Sequence, residues 1–237
     1  MKRFVVEELL DTNAGTPEEV QLSLDDLRGV NRWLGGNTFH TRLFAKAVAG
    51  TTGPLSILEA AAGRATALQA ALLPLQKQSR ALTIHLLDAS PDHLPTASHW
   101  DPSLPAPQCI PGNALNLPFA DNSMDIVSCC LFLHHLEPEQ WTIFFREALR
   151  VARVAVIFNE PERSRCHWLL ACLGRFVFRS RISTHDSKAS VRRAYTLEET
   201  RRILSAAGCQ FEVQRHHCYR VGGIVWKNHP PAAAPQN

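Results

Sequence analysis

The spacing of apolar residues changes character near residue 50. Before it, Leu22, Leu24, Leu27, Val30, Trp33 and Leu34 recur at helical intervals and stop at Gly35-Gly36, and a second helical stretch runs from Thr41 to Ala49. These predict an N-terminal helical cap over residues 1–50. After it, short apolar runs at 55–60, 83–88, 108–114, 125–132 and 154–159 read as strands. Helical patterns at 64–74, 91–97, 138–150, 163–178 and 197–207 lie between or after them.

Strands that alternate with helices predict right-handed βαβ units and a parallel sheet. Two closely spaced runs, 211–215 and 219–226, predict an antiparallel hairpin at the sheet edge, which makes seven strands. The organisation expected is a cap (1–50), an α/β domain (51–228) with an insertion at 161–195, and a disordered tail, 229–237, in which Pro230-Pro231 precedes a run of alanines. A chain of 237 residues is long enough for one such domain.

Composition narrows the function classes. A formal charge of +3 is too mild to require nucleic acid, although Arg163, Arg165, Arg175, Arg179, Arg181, Lys188, Arg192 and Arg193 concentrate the basic excess in one stretch. The seven cysteines have no CxxC spacing, so reduced thiols and a cytoplasmic location are expected. No apolar run reaches membrane-spanning length.

In an open α/β sheet, ligands bind beyond the carboxyl ends of the strands where the strand order reverses. The first strand ends in Leu58-Glu59-Ala60-Ala61-Ala62-Gly63-Arg64-Ala65, the second in Asp88-Ala89, and the third in Gly112-Asn113-Ala114. Small residues let the backbone approach a ligand, a strand-end carboxylate can accept both ribose hydroxyls, and an amide can meet an adenine edge. Equally, a strand-ending Asp can be a cap, and AAAG can be helix-packing sequence.

The stretch Gly112-Asn113-Ala114-Leu115 through Leu136-Glu137-Pro138, with LPFADNSMDIV at its centre and His134-His135-Leu136 near its end, resembles the class I S-adenosylmethionine-dependent methyltransferases, especially the quinone-biosynthesis C-methyltransferases. The resemblance implies a Rossmann-like α/β fold and S-adenosylmethionine as cofactor. By position it implies Glu59 facing the methionine amino group, Asp88 with Ala89 at the ribose, Asn113 and Ala114 at the adenine, and Leu131 near the cofactor. The family's three-glycine turn reads here as Ala61, Gly63 and Ala65 after Glu59, with one glycine kept. The segments VIFNEPERSR (156–165) and ISTHDSKASVRRAYTLEE (182–199) resemble a subgroup found beside polyketide synthases.

Together these imply methyl transfer to O or C of a small hydrophobic acceptor, aromatic, quinone-like or polyketide-like. The competing expectation is a degenerate, non-catalytic binding or regulatory module, motivated by Ala61 and Ala65. His134, His135 and His185 are candidate bases, and each can equally be a satisfied structural histidine. A metal site is not expected, because adjacent histidines on a regular element point different ways and no HxxxH or HExxH spacing is present. The apolar segment 166–178 can be a core helix, a lid over the acceptor, or an interfacial helix that makes peripheral membrane contact. Oligomeric state is left open.

Overall fold

The computed structural model describes residues 1–12 and 14–228, so the expectation for 229–237 lies outside the described residues. Its frame is a seven-stranded sheet built from β1 (Leu55–Ala60), β2 (Leu82–Asp88), β3 (Gln108–Pro111), β4 (Met124–Cys130), β5 (Ala152–Pro161), β6 (Gln210–His216) and β7 (Arg220–Trp226), in the order β3-β2-β1-β4-β5-β7-β6. The first five strands pair in parallel. β7 runs antiparallel between β5 and β6, so the C-terminal hairpin puts one strand inside the sheet and the other at its edge. Gly222 lets β7 fit there, since a Cβ would stand 2.8 Å from the Phe39 ring and 2.5 Å from the Phe158 carbonyl.

Two apolar layers cover the sheet. On one face α2 (Gly36–Ala47) and α3 (Thr66–Lys77) bury Phe39, Leu43, Phe44, Leu68 and Leu72. On the other, α4 (Pro138–Val151) and α7 (Leu197–Ala206) bury Trp141, Phe144, Phe145 and Leu204. Capping boxes fix where three helices start: Thr16 with Glu19 at α1 (Pro17–Trp33), Glu137 with Gln140 at α4, and Thr196 with Glu199 at α7. The strand order reverses between β1 and β4, which places a crevice above their carboxyl ends.

Four expectations are corrected. The helix expected at 91–97 is two short 3-10 turns, Pro91–His93 and Ala97–His99, because Pro95 removes a donor and clashes with the preceding turn. β3 stops at Pro111 instead of reaching 114, which leaves Asn113 and Ala114 in a loop. The second cap helix begins at Gly36, not Thr41, since Gly35 itself takes the left-handed conformation (φ +73°) that turns the chain. The helix expected over 163–178 splits into α5 (Arg165–Leu173) and a 3-10 turn, Gly174–Phe176, and a further helix, α6 (Arg181–Arg193), follows.

The first twelve residues add a strap across the crevice. Leu9 and Leu10 donate their N–H groups to the Asp186 carboxylate of α6, and Arg3 bonds Glu137 and the Arg193 carbonyl. α1, α5, α6 and this strap together enclose the space above the strand ends.

Candidate active site

The three strand-end turns read from the sequence meet around one cavity of about 570 Å³, lined by Glu59, Ala61, Gly63, Asp88, Ala89, Asn113, Ala114 and Leu131 among others. The turn after β1 alternates left-handed residues: Ala61 at φ +51°, Gly63 at +46° and Ala65 at +50°. An L-residue in that region costs roughly 1–2 kcal/mol, so the chain keeps a glycine-type backbone path at two alanines and bears the strain. Leu131, after β4, is held at φ +59° by its N–H bond to the Asn159 carbonyl. Non-glycine residues forced into this region cluster at functional sites.

Asp88 ties two of the turns together. Its Oδ2 accepts the Gly63 N–H at 2.8 Å and its Oδ1 accepts the Ser90 N–H at 2.9 Å. Each carboxylate oxygen has a second lone pair, and Asp88 lines the cavity, so it both braces the cradle and could receive ribose hydroxyls. Asn113 spends its Oδ1 on the Leu115 N–H at 2.9 Å, which forms an Asx turn and leaves its amide N–H groups for a ligand.

Glu59 is the strongest sign that a cation belongs here. It is 1% exposed, its Oε2 has no partner, and burial pushes its carboxyl up to about 8, against a smaller opposing hydrogen bond from Ser128. Behind it the Ser128 hydroxyl lies 3.0 Å from His40 Nε2, and burial drives that imidazole down to about 3. The arrangement that satisfies both neighbours has neutral His40 donating to Ser128 and Ser128 donating to Glu59. An alkylammonium in the cavity would complete Glu59. The cradle, the unfilled acid and the ribose-side acid therefore fit S-adenosylmethionine.

Arg220, the first residue of β7, was not singled out from the sequence. It is 3% exposed and lines the cavity; its Nη2 donates to Asn31 Oδ1 at 2.8 Å and its Nη1 is unpartnered. Among the described residues no carboxylate stands within ion-pair distance of it. A buried guanidinium without a counter-charge is costly and calls for an anion from a ligand.

The other end of the cavity holds the histidines. His134 and His135 lie on a 3-10 turn, Leu133–His135, directly after β4. The expectation that adjacent histidines diverge fails on this tight turn, since their ring centroids are 4.2 Å apart. His134 is 3% exposed, and its Nδ1 lies 2.6 Å from the Glu160 carboxylate at the end of β5. Burial opposes its charge, but Glu160 and Glu8 outweigh it and raise the imidazole to about 9. His135 Nδ1 lies 2.8 Å from Asp11 Oδ2. Glu8 and Asp11 come from the strap and Glu160 from β5, and no periodicity marks them.

His185 is placed differently. It stands on α6 with its Nδ1 2.8 Å from Asp186 Oδ1, but it is not among the cavity-lining residues, whereas Asp186 is. The apolar segment 166–178 is not a core helix: Leu169, Leu173, Phe176 and Val177 are 58%, 58%, 74% and 77% exposed, while His167, Ala171 and Phe178 turn toward the cavity.

A family model described as "Methyltransferase domain" matches residues 58–158. No curated protein matches the chain in sequence. Among solved structures, an S-adenosylmethionine-dependent methyltransferase from Aquifex aeolicus is 16% identical, with 90% of this chain and 100% of that one covered at a TM-score of 0.61. The magnesium protoporphyrin IX methyltransferase from Synechocystis PCC 6803, with bound S-adenosylhomocysteine, is 18% identical (82% and 84% covered, TM-score 0.54). A plantazolicin methyltransferase in complex with a pentazolic desmethylPZN analogue and S-adenosylhomocysteine is 12% identical (94% and 95% covered, TM-score 0.64). At these identities the solved structures speak for the fold, and the family model for the domain that occupies its centre. Residues 58–158 thus match a methyltransferase domain, set at the centre of a Rossmann-like seven-stranded fold that the solved methyltransferases share.

Proposed function

We propose that the protein methylates an oxygen or acidic carbon of a small, flat, hydrophobic acceptor of aromatic, quinone-like or polyketide-like type. The observation that carries this reading is the shape of the cavity. One end has the cofactor groups, and the other joins apolar walls (Leu24, Leu27, Val30, Leu170 and Phe178) to a buried acid–histidine cluster. Mostly apolar pockets with a few convergent polar groups select hydrophobic ligands and orient them.

Each chain residue then has a role. Glu59 takes the methionine ammonium, Arg220 with Asn31 takes the methionine carboxylate, Asp88 takes the ribose, and Asn113 with Ala114 borders the adenine. S-adenosylmethionine supplies an already activated methyl group on a sulfonium, so the protein's task is alignment and ionisation of the acceptor. The Glu8, His134 and His135 cluster is assigned to that ionisation, with Glu160 and Asp11 orienting the two imidazoles through their Nδ1 atoms. His185 is assigned no contact with the acceptor. The segment 161–195 acts as the acceptor-side lid, because α5 and α6 close the cavity opposite the strand ends.

A second reading concerns delivery of the acceptor. The outward face of α5 and the following turn carries Leu169, Leu173, Phe176 and Val177 beside exposed Arg165, Arg175 and Arg179, a combination suited to peripheral contact with an anionic membrane. Retention on phosphatidylglycerol vesicles but not phosphatidylcholine vesicles, lost in Phe176→Ser with Val177→Ser, is the expected outcome.

The acceptor class is tested with isotopically methyl-labelled S-adenosylmethionine and a panel of phenols, hydroxyquinones, 1,3-diketones and charged soluble metabolites. The label should appear in the first three groups. Transfer confined to the charged metabolites contradicts the reading.

A further inference from the structure

The three residues assigned to acceptor ionisation share a geometry that proton transfer alone does not require. His134 Nε2 lies 3.5 Å from Glu8 Oε1, His135 Nε2 lies 3.9 Å from that same oxygen, and all three atoms fall within 4.8 Å of one another. A tetrahedral ion with bonds of ~2.0–2.1 Å sets its ligand atoms about 3.4 Å apart. The two edges to Glu8 therefore lie within about half an ångström of a metal's coordination edge, and the third is no longer than 4.8 Å.

The surroundings match as well. Both imidazoles turn their Nδ1 atoms outward to carboxylates, Glu160 at 2.6 Å and Asp11 at 2.8 Å, which orients each ring with its Nε2 toward Glu8. Metal-ligating histidines are oriented in this way by carboxylate partners. Glu8 is held in turn by the Ser190 hydroxyl at 2.9 Å. Glu8 and His134 are 6% and 3% exposed, so this is no solvated acidic patch. The nearby cation, Arg193, stands on the outer side at 3.6 Å from Asp11 Oδ2.

We infer that Glu8, His134 and His135 form a two-histidine, one-carboxylate site for a divalent metal ion with an open position toward the acceptor end of the methyltransferase cavity. Two imidazoles and one carboxylate suit Zn²⁺, or another late first-row divalent ion, and disfavour Mg²⁺, which prefers an all-oxygen shell. An acceptor hydroxyl or enol bound at the open position would release its proton to solvent at a lower pH, and the resulting oxyanion would attack the methyl carbon as the carbon–sulfur bond breaks. The inference rests on the placement of the acceptor proposed above.

The test uses full-length protein stripped with dipicolinate and titrated calorimetrically with ZnCl₂, with S-adenosylhomocysteine titrated in parallel. One equivalent of Zn²⁺ should bind with a micromolar or lower Kd. Both His135→Ala and the near-isosteric Glu8→Gln should weaken it at least 100-fold, and His185→Ala should leave it unchanged. S-adenosylhomocysteine should bind all four proteins alike, which shows that the variants are folded. Absence of a Zn²⁺ site in wild-type protein that binds S-adenosylhomocysteine overturns the metal site and leaves the methyltransferase reading standing. Equal Zn²⁺ binding by wild type and both cluster variants overturns it too. Zn²⁺ binding that follows the cluster in protein unable to bind S-adenosylhomocysteine supports the metal site and counts against the cofactor assignments instead.

Discussion

The two ends of the cavity are built in opposite ways. Most of the cofactor end comes from three consecutive strand-end turns, where neighbours in sequence are neighbours in space: Glu59 to Gly63, Asp88 to Ser90, and Gly112 to Ala114, with Arg220 and Asn31 the exceptions. The acceptor end draws Glu8 and Asp11 from the N-terminal strap, His134 and His135 from the turn after β4, Glu160 from β5 and Asp186 from α6. The turn backbones shape most of the first, and long-range hydrogen bonds to charged groups hold the second. Substitutions at the two ends should therefore separate cofactor affinity from turnover.

The largest expected separation is at the acceptor end. His135→Ala should lower turnover by roughly 10²–10⁴-fold, the usual scale for a positioned acid–base group, while leaving the Kd for S-adenosylhomocysteine in place; His185→Ala, outside the cavity, should change neither. Single-turnover kinetics beside a binding isotherm check this, and an equal loss from both variants would erase the distinction between the two histidine sites.

At the cofactor end, Arg220→Met should weaken S-adenosylhomocysteine by about 1.5–3 kcal/mol, the worth of a charge-assisted hydrogen bond. It should leave 5′-methylthioadenosine, which lacks the amino-acid moiety, unaffected. If both ligands weaken equally, Arg220 supports the fold and does not read the carboxylate. Asp88→Ala should cost about 1–3 kcal/mol in affinity for both ligands. It should also lower the Tm, because the Gly63 and Ser90 N–H groups lose their acceptor. The smallest effect is a gain: Ala61→Gly should raise stability by at most about 1 kcal/mol, the left-handed penalty less glycine's entropy. Thermal denaturation would detect it.

Much of the sheet was legible because buried parallel strands read as continuous apolar runs, as in Leu55–Ala60 and Ala152–Pro161. The strand-end turns that line the cavity were legible for the same reason, since Glu59, Asp88 and Asn113 fall at fixed offsets from strand ends. α6 was hidden because the face it buries includes Ser183, Asp186 and Ala189, which carry little hydropathy signal. Glu8, Asp11 and Arg220 were hidden because their partners lie more than a hundred residues away, at Glu160 through His134, at His135, and at Asn31. The 3-10 turn that brings the two histidine rings together could not be read from a pattern built on regular helices and strands.

Glu59 is assigned to wait, protonated, for the cofactor's ammonium. Its folded value of about 8 lies above the ordinary 4.5. The stability it contributes is thus fully present below pH 4.5 and lost as pH rises through 8, and an ammonium that ionises it must expel its proton. The direct measurement is calorimetric titration of S-adenosylhomocysteine at pH 7 in buffers of different ionisation enthalpy. Wild-type protein should bind one equivalent and release most of one proton, with affinity rising toward pH 8, whereas Glu59→Gln should bind more weakly and release none. A flat titration, or binding whose heat does not depend on the buffer, would contradict the account.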